Sequence, residues 1–230
     1  MCRLRQCPLD LPALRRGPDG RDVLLIDNRR IYGRGAAIVG AGALIGLAIA
    51  LAAPRMTIPR HHYITEYDRA SPDELYETLW APPVDRLPRR YALEEIRYSH
   101  SVREYARRID LDSITFESGS WEVPHDQRNK LEAVARAMRR VLDRRPEDVF
   151  LIEGHTDATG DQENNLTLSD RRAESVAAIL TEFFDIPPEN LVTQGYGEQY
   201  LKVNTDGPDR INRRVAIRNI TGLMARDGER

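Results

Sequence analysis

The stretch GHTDATGDQENNLTLSDRRAESV, Gly154 to Val176, puts an aspartate, Asp157, just after an apolar run (Val149, Phe150, Leu151, Ile152) and an arginine, Arg172, beyond the next loop. A carboxylate and a guanidinium so placed can do three things. They can close on each other as an ion pair between loop and helix. The carboxylate can join His155, Asp161 and Glu163 around a metal ion, as the His-x-Asp spacing suggests. Or the two charges can receive a ligand that carries both signs, each through charge-assisted hydrogen bonds. The metal reading needs further ligands from elsewhere, and His61, His62 and His125 stand in unrelated contexts. No metal and no cofactor is therefore expected. His155 is expected to use its ring nitrogens in hydrogen bonds at a strand end, and Glu153 to be structural. Tyr196 is expected to pack either the floor of a pocket or its own turn. No nucleophile with a base is assembled, so the chain is not read as an enzyme.

The elements that must hold these residues follow from periodicity. Leu111, Ile114 and Phe116 suggest a short strand, closed by Glu117-Ser118-Gly119-Ser120. Leu131, Val134, Ala135, Met138, Val141 and Leu142 recur at helical spacing and form one apolar face, with Pro146 as a stop. Val149–Ile152 is a continuous apolar run, as a strand covered on both sides would be. Ala173, Val176, Ala177, Leu180 and Phe184 predict a second amphipathic helix, ended by Pro187-Pro188. Leu191–Gln194 reads as a strand before the turn Gly195-Tyr196-Gly197, and Val215, Ile217 and Ile220 supply a last one. The order is β-α-β-α-β-β: an α/β (α+β sandwich) domain, a mixed sheet with helices on one face. It places Asp157 past the end of a central strand, where open α/β sheets bind ligands. It places Arg172 in the early turns of the helix that follows. Asn165 and Ser169 are then set to shape the loop, cap that helix or add hydrogen bonds. Arg213 and Arg214 alternate along a strand, so one is expected to approach the pocket and the other to pair on the surface.

The rest of the chain bounds the setting. Its 230 residues carry a formal net charge of −2 with few aromatics, which argues against nucleic acid as a partner. The two cysteines, Cys2 and Cys7, lie in the N-terminal tail, so no disulfide framework is read. Gly35 to Ala53, GAAIVGAGALIGLAIALAA, has no charge and nearly the length of a membrane span. Arginines crowd the basic tail 1–34 before it, placing the N-terminus in the cytoplasm and the larger part across the membrane. An uncleaved anchor, a cleaved signal with Ala50-Leu51-Ala52 as its small-x-small site, and a Gly/Ala-rich segment that is membrane-active without being a simple span all fit. Gly42 and Gly46, with Gly40, would let two such helices approach, so a homodimer through this segment is an expectation. Residues 54–104 are rich in proline and charge and read as a connector with short helices, one opening at Ser71-Pro72. The domain is read as 105–222, with 223–230 as a C-terminal tail.

Taken in order, Ile114-Thr115-Phe116, Glu153-Gly154-His155-Thr156-Asp157, Gly160, Asn165, Leu168-Ser169, Arg172-Ala173, Gly195-Tyr196-Gly197-Glu198 and Asn212-Arg213-Arg214-Val215 resemble the OmpA-like C-terminal domain over roughly residues 105–222. The resemblance implies non-covalent binding of peptidoglycan through the diaminopimelate of its stem peptide, and a protein of the bacterial cell envelope that tethers a membrane to the wall. It implies that Asp157 and Arg172 make the decisive contacts, with Asn165, Thr156, Ser169, Gly119 and Arg213 around them. Where some relatives carry asparagine, Gly119 offers only backbone. The chemistry suits the head of diaminopimelate, an ammonium and a carboxylate on one carbon. A guanidinium can donate two parallel bonds to the planar carboxylate, and each charge-assisted bond contributes about 1.5–3 kcal/mol.

The resemblance implies the wall-binding domain in the periplasm. The membrane is the outer one if the family sets it, the inner one if 35–53 stays as an anchor. A motor stator of the MotB type has a similar topology, but its span carries a proton-bearing aspartate, and Gly35–Ala53 has no ionisable residue.

Overall fold

In the computed structural model, residues 64–116 and 119–225 are described, together with two short strands, β1 (Leu14–Arg16) and β2 (Asp22–Leu24), which pair antiparallel. The apolar stretch 35–53, and with it the expected span, cleavage site and homodimer contact, lies outside the described residues. Among those that are described, no helix is long and apolar enough to cross a membrane.

The main sheet has five strands: β3 (Ile64–Glu66), β4 (Arg108–Asp110), β5 (Phe150–Gly154), β6 (Leu191–Gly195) and β7 (Val215–Asn219). Their order is β3-β4-β7-β5-β6. Strand β7 runs antiparallel to both β4 and β5, while β5 and β6, and β3 and β4, are parallel pairs. The helices are α1 (Pro72–Trp80), α2 (Leu93–Tyr98), α3 (His100–Arg103), α4 (Glu132–Leu142) and α5 (Gln162–Phe184). From β4 onward the order is β4-α4-β5-α5-β6-β7, the expected β-α-β-α-β-β and an α/β fold with a mixed sheet.

Side chains alternate across the strands. Phe150 and Ile152 of β5 and Val215 and Ile217 of β7 face one core, shared with Val134, Met138 and Val141 of α4 and Ala173, Val176 and Leu180 of α5. Both long helices thus lie on one face, as the periodicity predicts. Leu151 faces the other way, into a second core with Tyr91, Ile96, Val102 and Tyr105. The continuous apolar run at β5 is therefore covered on both sides.

Residues 64–104, read as a connector, are packed against this sheet. Strand β3 extends its edge. Helix α1 begins with a capping box, Ser71 Oγ accepting from Glu74 N and Glu74 Oε2 accepting from Ser71 N. It buries Leu75, Tyr76 and Leu79 in the first core, and α2 and α3 close the second. Pro72, Pro82, Pro83 and Pro88 flank these short elements rather than keeping the chain extended.

The strand expected at Leu111–Phe116 is displaced to β4, Arg108–Asp110. Ile109 and Leu111 carry the inward alternation, and Leu111 N still donates to Val215 O at 2.8 Å. Asp112-Ser113 then turns the chain, so Ile114 is buried from a turn. Three-residue spacing between apolar side chains marked core here without marking a strand.

The second face holds charge as well as carbon. Glu153 of β5 lies between Arg103 and Arg218, with Oε1 at 3.0 Å from Arg103 Nε and 3.1 Å from Arg218 Nε. Arg218 also donates to Arg103 O at 3.0 Å and to Glu104 Oε1 at 2.9 Å. Arg103 lies over the Tyr196 ring at 4.0 Å. All three members of the Glu153 triad are about fully buried. Burial works against the Glu153 carboxylate, yet Arg218 and Arg103 hold it well below the usual range. These bonds lock the end of α3 to the sheet.

Candidate functional site

Strand β5 ends at Gly154 in the sheet interior, and His155 N and Thr156 N extend its pairing to Arg214 O (3.0 Å) and Gly197 O (2.9 Å). Asp157 follows, buried at 5% exposure. Its Oδ1 accepts from the backbone N of Thr159 at 3.3 Å and from the Thr159 hydroxyl, an Asx-type turn. Its Oδ2 accepts from Arg213 Nη1 at 2.6 Å. Burial would raise this carboxyl, but the bonds from Thr159 and Arg213 outweigh it and hold it below the usual range.

Helix α5 starts at Gln162, capped by Asp161, whose Oδ1 accepts from Asn164 N at 2.9 Å. The cap is therefore Asp161, not Asn165 or Ser169, and Arg172 lies about three turns in rather than in the early turns. The apolar stripe from Ala173 onward marked only the C-terminal part of the helix, because its first turns carry polar residues on the buried side. Asn165, Ser169 and Arg172 follow each other at spacings of four and three, which places them on one helix face.

That face comes close to the sheet because two strand ends lack side chains. A Cβ on Gly154 would stand 2.0 Å from Ser169 O, and one on Gly195 would stand 2.4 Å from Asp170 N. The face's polar groups are then used locally. Ser169 Oγ donates to Leu166 O and accepts from Gly197 N, both at 2.8 Å. Asn165 Nδ2 donates to Thr159 O at 3.0 Å and to Glu198 Oε2 at 2.8 Å, tying the Asp157 loop to the β6–β7 loop.

Arg172 is 1% exposed. Its Nε donates to Ser120 O at 3.0 Å, and its guanidinium lies 4.7 Å from the centre of the Phe116 ring. Its Nη1 has no hydrogen-bond partner among the described residues, and neither has Thr156 Oγ1. No carboxylate lies within ion-pair distance of Arg172 among the described residues, so Asp157 and Arg172 do not bridge each other. Burial, with Arg213 nearby, pushes this guanidinium down to about 10, with Asp157 acting the other way. Gly119, in the loop that carries Ser120, has φ +71° and open space where a Cβ would stand. Glu117 and Ser118 of that loop lie outside the described residues.

The site thus brings together Thr156, Asp157 and Arg213 with Arg172 and the Ser120 backbone, braced by Asn165 and Ser169. Arg214 departs from expectation. It is buried, donating to Tyr200 O at 3.0 Å with Nε 3.9 Å from Asp110 Oδ1, rather than pairing on the surface. His155 is also buried, stacked 5.6 Å from Tyr196, and its ring nitrogens make no hydrogen bonds among the described residues; Glu153 Oε2 is 3.8 Å away, beyond hydrogen-bonding reach. Tyr196 packs under Arg103 and donates to Arg97 O at 2.8 Å, so it belongs to the second face. Among the described residues, no three His, Cys, Asp or Glu side chains are grouped to hold a metal. Thr159 was missed by sequence reasoning, and the D-x-T spacing of Asp157-Ala158-Thr159 is the signal that would have found it; Glu198 stood in the Gly195–Glu198 motif without a role, since only the fold brings it to Asn165.

Residues 115–214 match the model of the OmpA family. The outer-membrane lipoprotein YfiB of Pseudomonas aeruginosa is 43% identical over 96 residues, covering 40% of this chain and 53% of that protein. The chain thus spans about half the length of this curated relative. Among solved structures, the peptidoglycan-associated lipoprotein from Burkholderia pseudomallei is similar at 22% identity and TM-score 0.38, covering 48% of this chain and 87% of that one. The periplasmic domain of Helicobacter pylori MotB is similar at 19% identity and TM-score 0.41, covering 48% and 70%.

Proposed function

With residues 115–214 an OmpA-family domain, we propose that this protein binds peptidoglycan without covalent attachment, through the diaminopimelate of the stem peptide. Domains of this family bind peptidoglycan in general. The observation that supports the finer reading is Arg172: a buried guanidinium with one nitrogen unpartnered and no carboxylate within ion-pair distance among the described residues. A buried cation without a counterion is costly. A ligand carboxylate would satisfy it through two parallel bonds. Asp157 would accept the ammonium on the same carbon, and Thr156 Oγ1 and the backbone near Gly119 and Ser120 would add neutral hydrogen bonds. Asn165 and Ser169 hold the two charged groups in register. Two charge-assisted groups together with the backbone donors fit affinity in the micromolar range, about 8 kcal/mol, and many copies on one sacculus would add avidity.

The chain then acts as a binding module and not an enzyme. Residues 35–53 would hold it to a membrane of the cell envelope, and the domain would tie that membrane to the wall from the periplasm.

The test uses the full chain in mild detergent, sedimented with isolated sacculi of the diaminopimelate type, beside Asp157→Ala and Arg172→Ala. The wild type is expected to pellet and both variants to stay in solution with unchanged circular dichroism. Equal sedimentation of all three would overturn the reading.

A further inference from the structure

Arg213 stands where the ligand's ammonium has to go. Its Nη1 is 2.6 Å from Asp157 Oδ2, while Thr159 occupies Oδ1 through both its backbone and its hydroxyl. Both oxygens of the Asp157 carboxylate thus carry partners, and the one charged partner is Arg213. Arg213 is also the more exposed partner: its side chain is 36% exposed, against 7% for that of Asp157. Arg172 differs from it in every respect. It is buried and fixed through Ser120 O and Phe116, and it has no carboxylate partner among the described residues. The two guanidiniums lie near enough for Arg213 to lower the pKa of Arg172.

We propose that Arg213 is a specificity-determining latch: it holds the ammonium's place on Asp157 in the free protein and gives it up only to a ligand that also brings a carboxylate. This rests on the diaminopimelate reading above. An incoming ammonium that displaces Arg213 leaves two guanidiniums, Arg172 and Arg213, within electrostatic reach of each other without an anion. A diaminopimelate head cancels that charge, because its own carboxylate arrives with its ammonium and accepts from both. A lysine side chain brings the ammonium alone and leaves the two cations uncompensated. The exchange therefore selects against a bare ammonium by repulsion, in addition to whatever Arg172 contributes by attraction.

The experiment measures dissociation constants of the full chain for two synthetic stem tripeptides, one with diaminopimelate and one with lysine at the third position, in the wild type, Arg213→Gln and Arg213→Lys. The wild type is expected to prefer the diaminopimelate peptide. In Arg213→Gln, affinity for the lysine peptide should rise by about three- to fivefold, the scale of a partly exposed ion pair. Arg213→Lys keeps a cation on Asp157 and should leave the lysine peptide as weak as in the wild type. Unchanged or weaker binding of the lysine peptide in Arg213→Gln overturns the latch, and leaves Arg213 at most a direct contact to the ligand carboxylate. If the wild type binds neither peptide, or Arg172→Ala binds the diaminopimelate peptide as well as the wild type does, the diaminopimelate reading itself falls and the latch with it. Thermal melts of both Arg213 variants within a few degrees of the wild type establish that each is folded.

Discussion

His155 and Asp157 are two residues apart and have opposite fates. Asp157 is buried but fully partnered, by Thr159 and Arg213, while His155 is buried against Tyr196 with its ring nitrogens unpaired among the described residues. Burial, with Arg214 nearby, pushes the imidazole down to about 3 from its ordinary 6.5. The folded chain keeps the ring neutral where the unfolded chain takes up a proton. Between those two values the unfolded state binds more protons, so stability is complete above the upper one and falls as pH drops toward the lower one. One such group gives a slope approaching about 1.4 kcal/mol per pH unit. His155→Phe keeps a ring against Tyr196 and removes the titration. Urea denaturation at about pH 7 and about pH 4.5 should show a smaller loss for His155→Phe than for the wild type. Equal losses would mean that the folded protein protonates this ring as readily as the unfolded chain does. At this scale the sequence was legible in residue type and not in pairing. Asp157, Arg172 and Arg213 stand out as charges near a strand end, but which arginine meets the aspartate depends on side-chain reach across two loops, and spacing does not encode it.

Helix α5 is set in place by Gly154 and Gly195, and through it Arg172 is positioned against Ser120 and Phe116. A methyl group at position 154 would lie 2.0 Å from the backbone oxygen of Ser169, which belongs to a helix and has no rotamer to yield. Either the helix lifts or the strand bends. Gly154→Ala is expected to destabilise the fold by roughly 2–4 kcal/mol, in the range of overpacked cores and forced backbone shifts. It should also weaken sacculus binding at temperatures where the variant is still folded. Urea midpoints read the first effect and sedimentation with sacculi the second. A variant as stable as the wild type would show that helix and strand part at small cost, and that the site does not depend on their contact. The helices themselves were readable from apolar spacing, α4 almost to its ends. Helix α5 was readable only in its second half, because Asn165, Ser169 and Arg172 put polar groups on the buried side and break the apolar stripe. Polar residues on a buried helix face were thus both the obstacle to reading the element and the site that it carries.

The sheet has two covered faces, and the sequence disclosed the cover of only one. Residues 64–104 carry so much proline and charge that they read as a spacer, yet Leu75 and Leu79 of α1 fill one core and Ile96 and Val102 the other. The charge has a structural use: Arg103, Glu104, Glu153 and Arg218 pair with one another across the second face, and composition cannot distinguish such a buried network from a solvated connector. Its members are interdependent. Without Arg103 and Glu104, Arg218 would lose two of its partners, Arg103 O and Glu104 Oε1, and keep Ala106 O and Glu153, while Glu153 would keep a single cation. Removing one side of a buried charge pair costs about 3–5 kcal/mol, and each leucine taken from a core about 1.5–3 kcal/mol more. A fragment of residues 105–225 is therefore expected to lack a cooperative urea transition and to associate through its bare sheet face. A fragment of residues 64–225 should unfold in one transition and keep its binding to sacculi. Circular dichroism across a urea series, with light scattering on the same samples, separates the two. If the shorter fragment unfolds cooperatively at the midpoint of the longer one, the cover is an accessory, and the positioning of Asp157 and Arg172 rests on β4 through β7 with α4 and α5 alone.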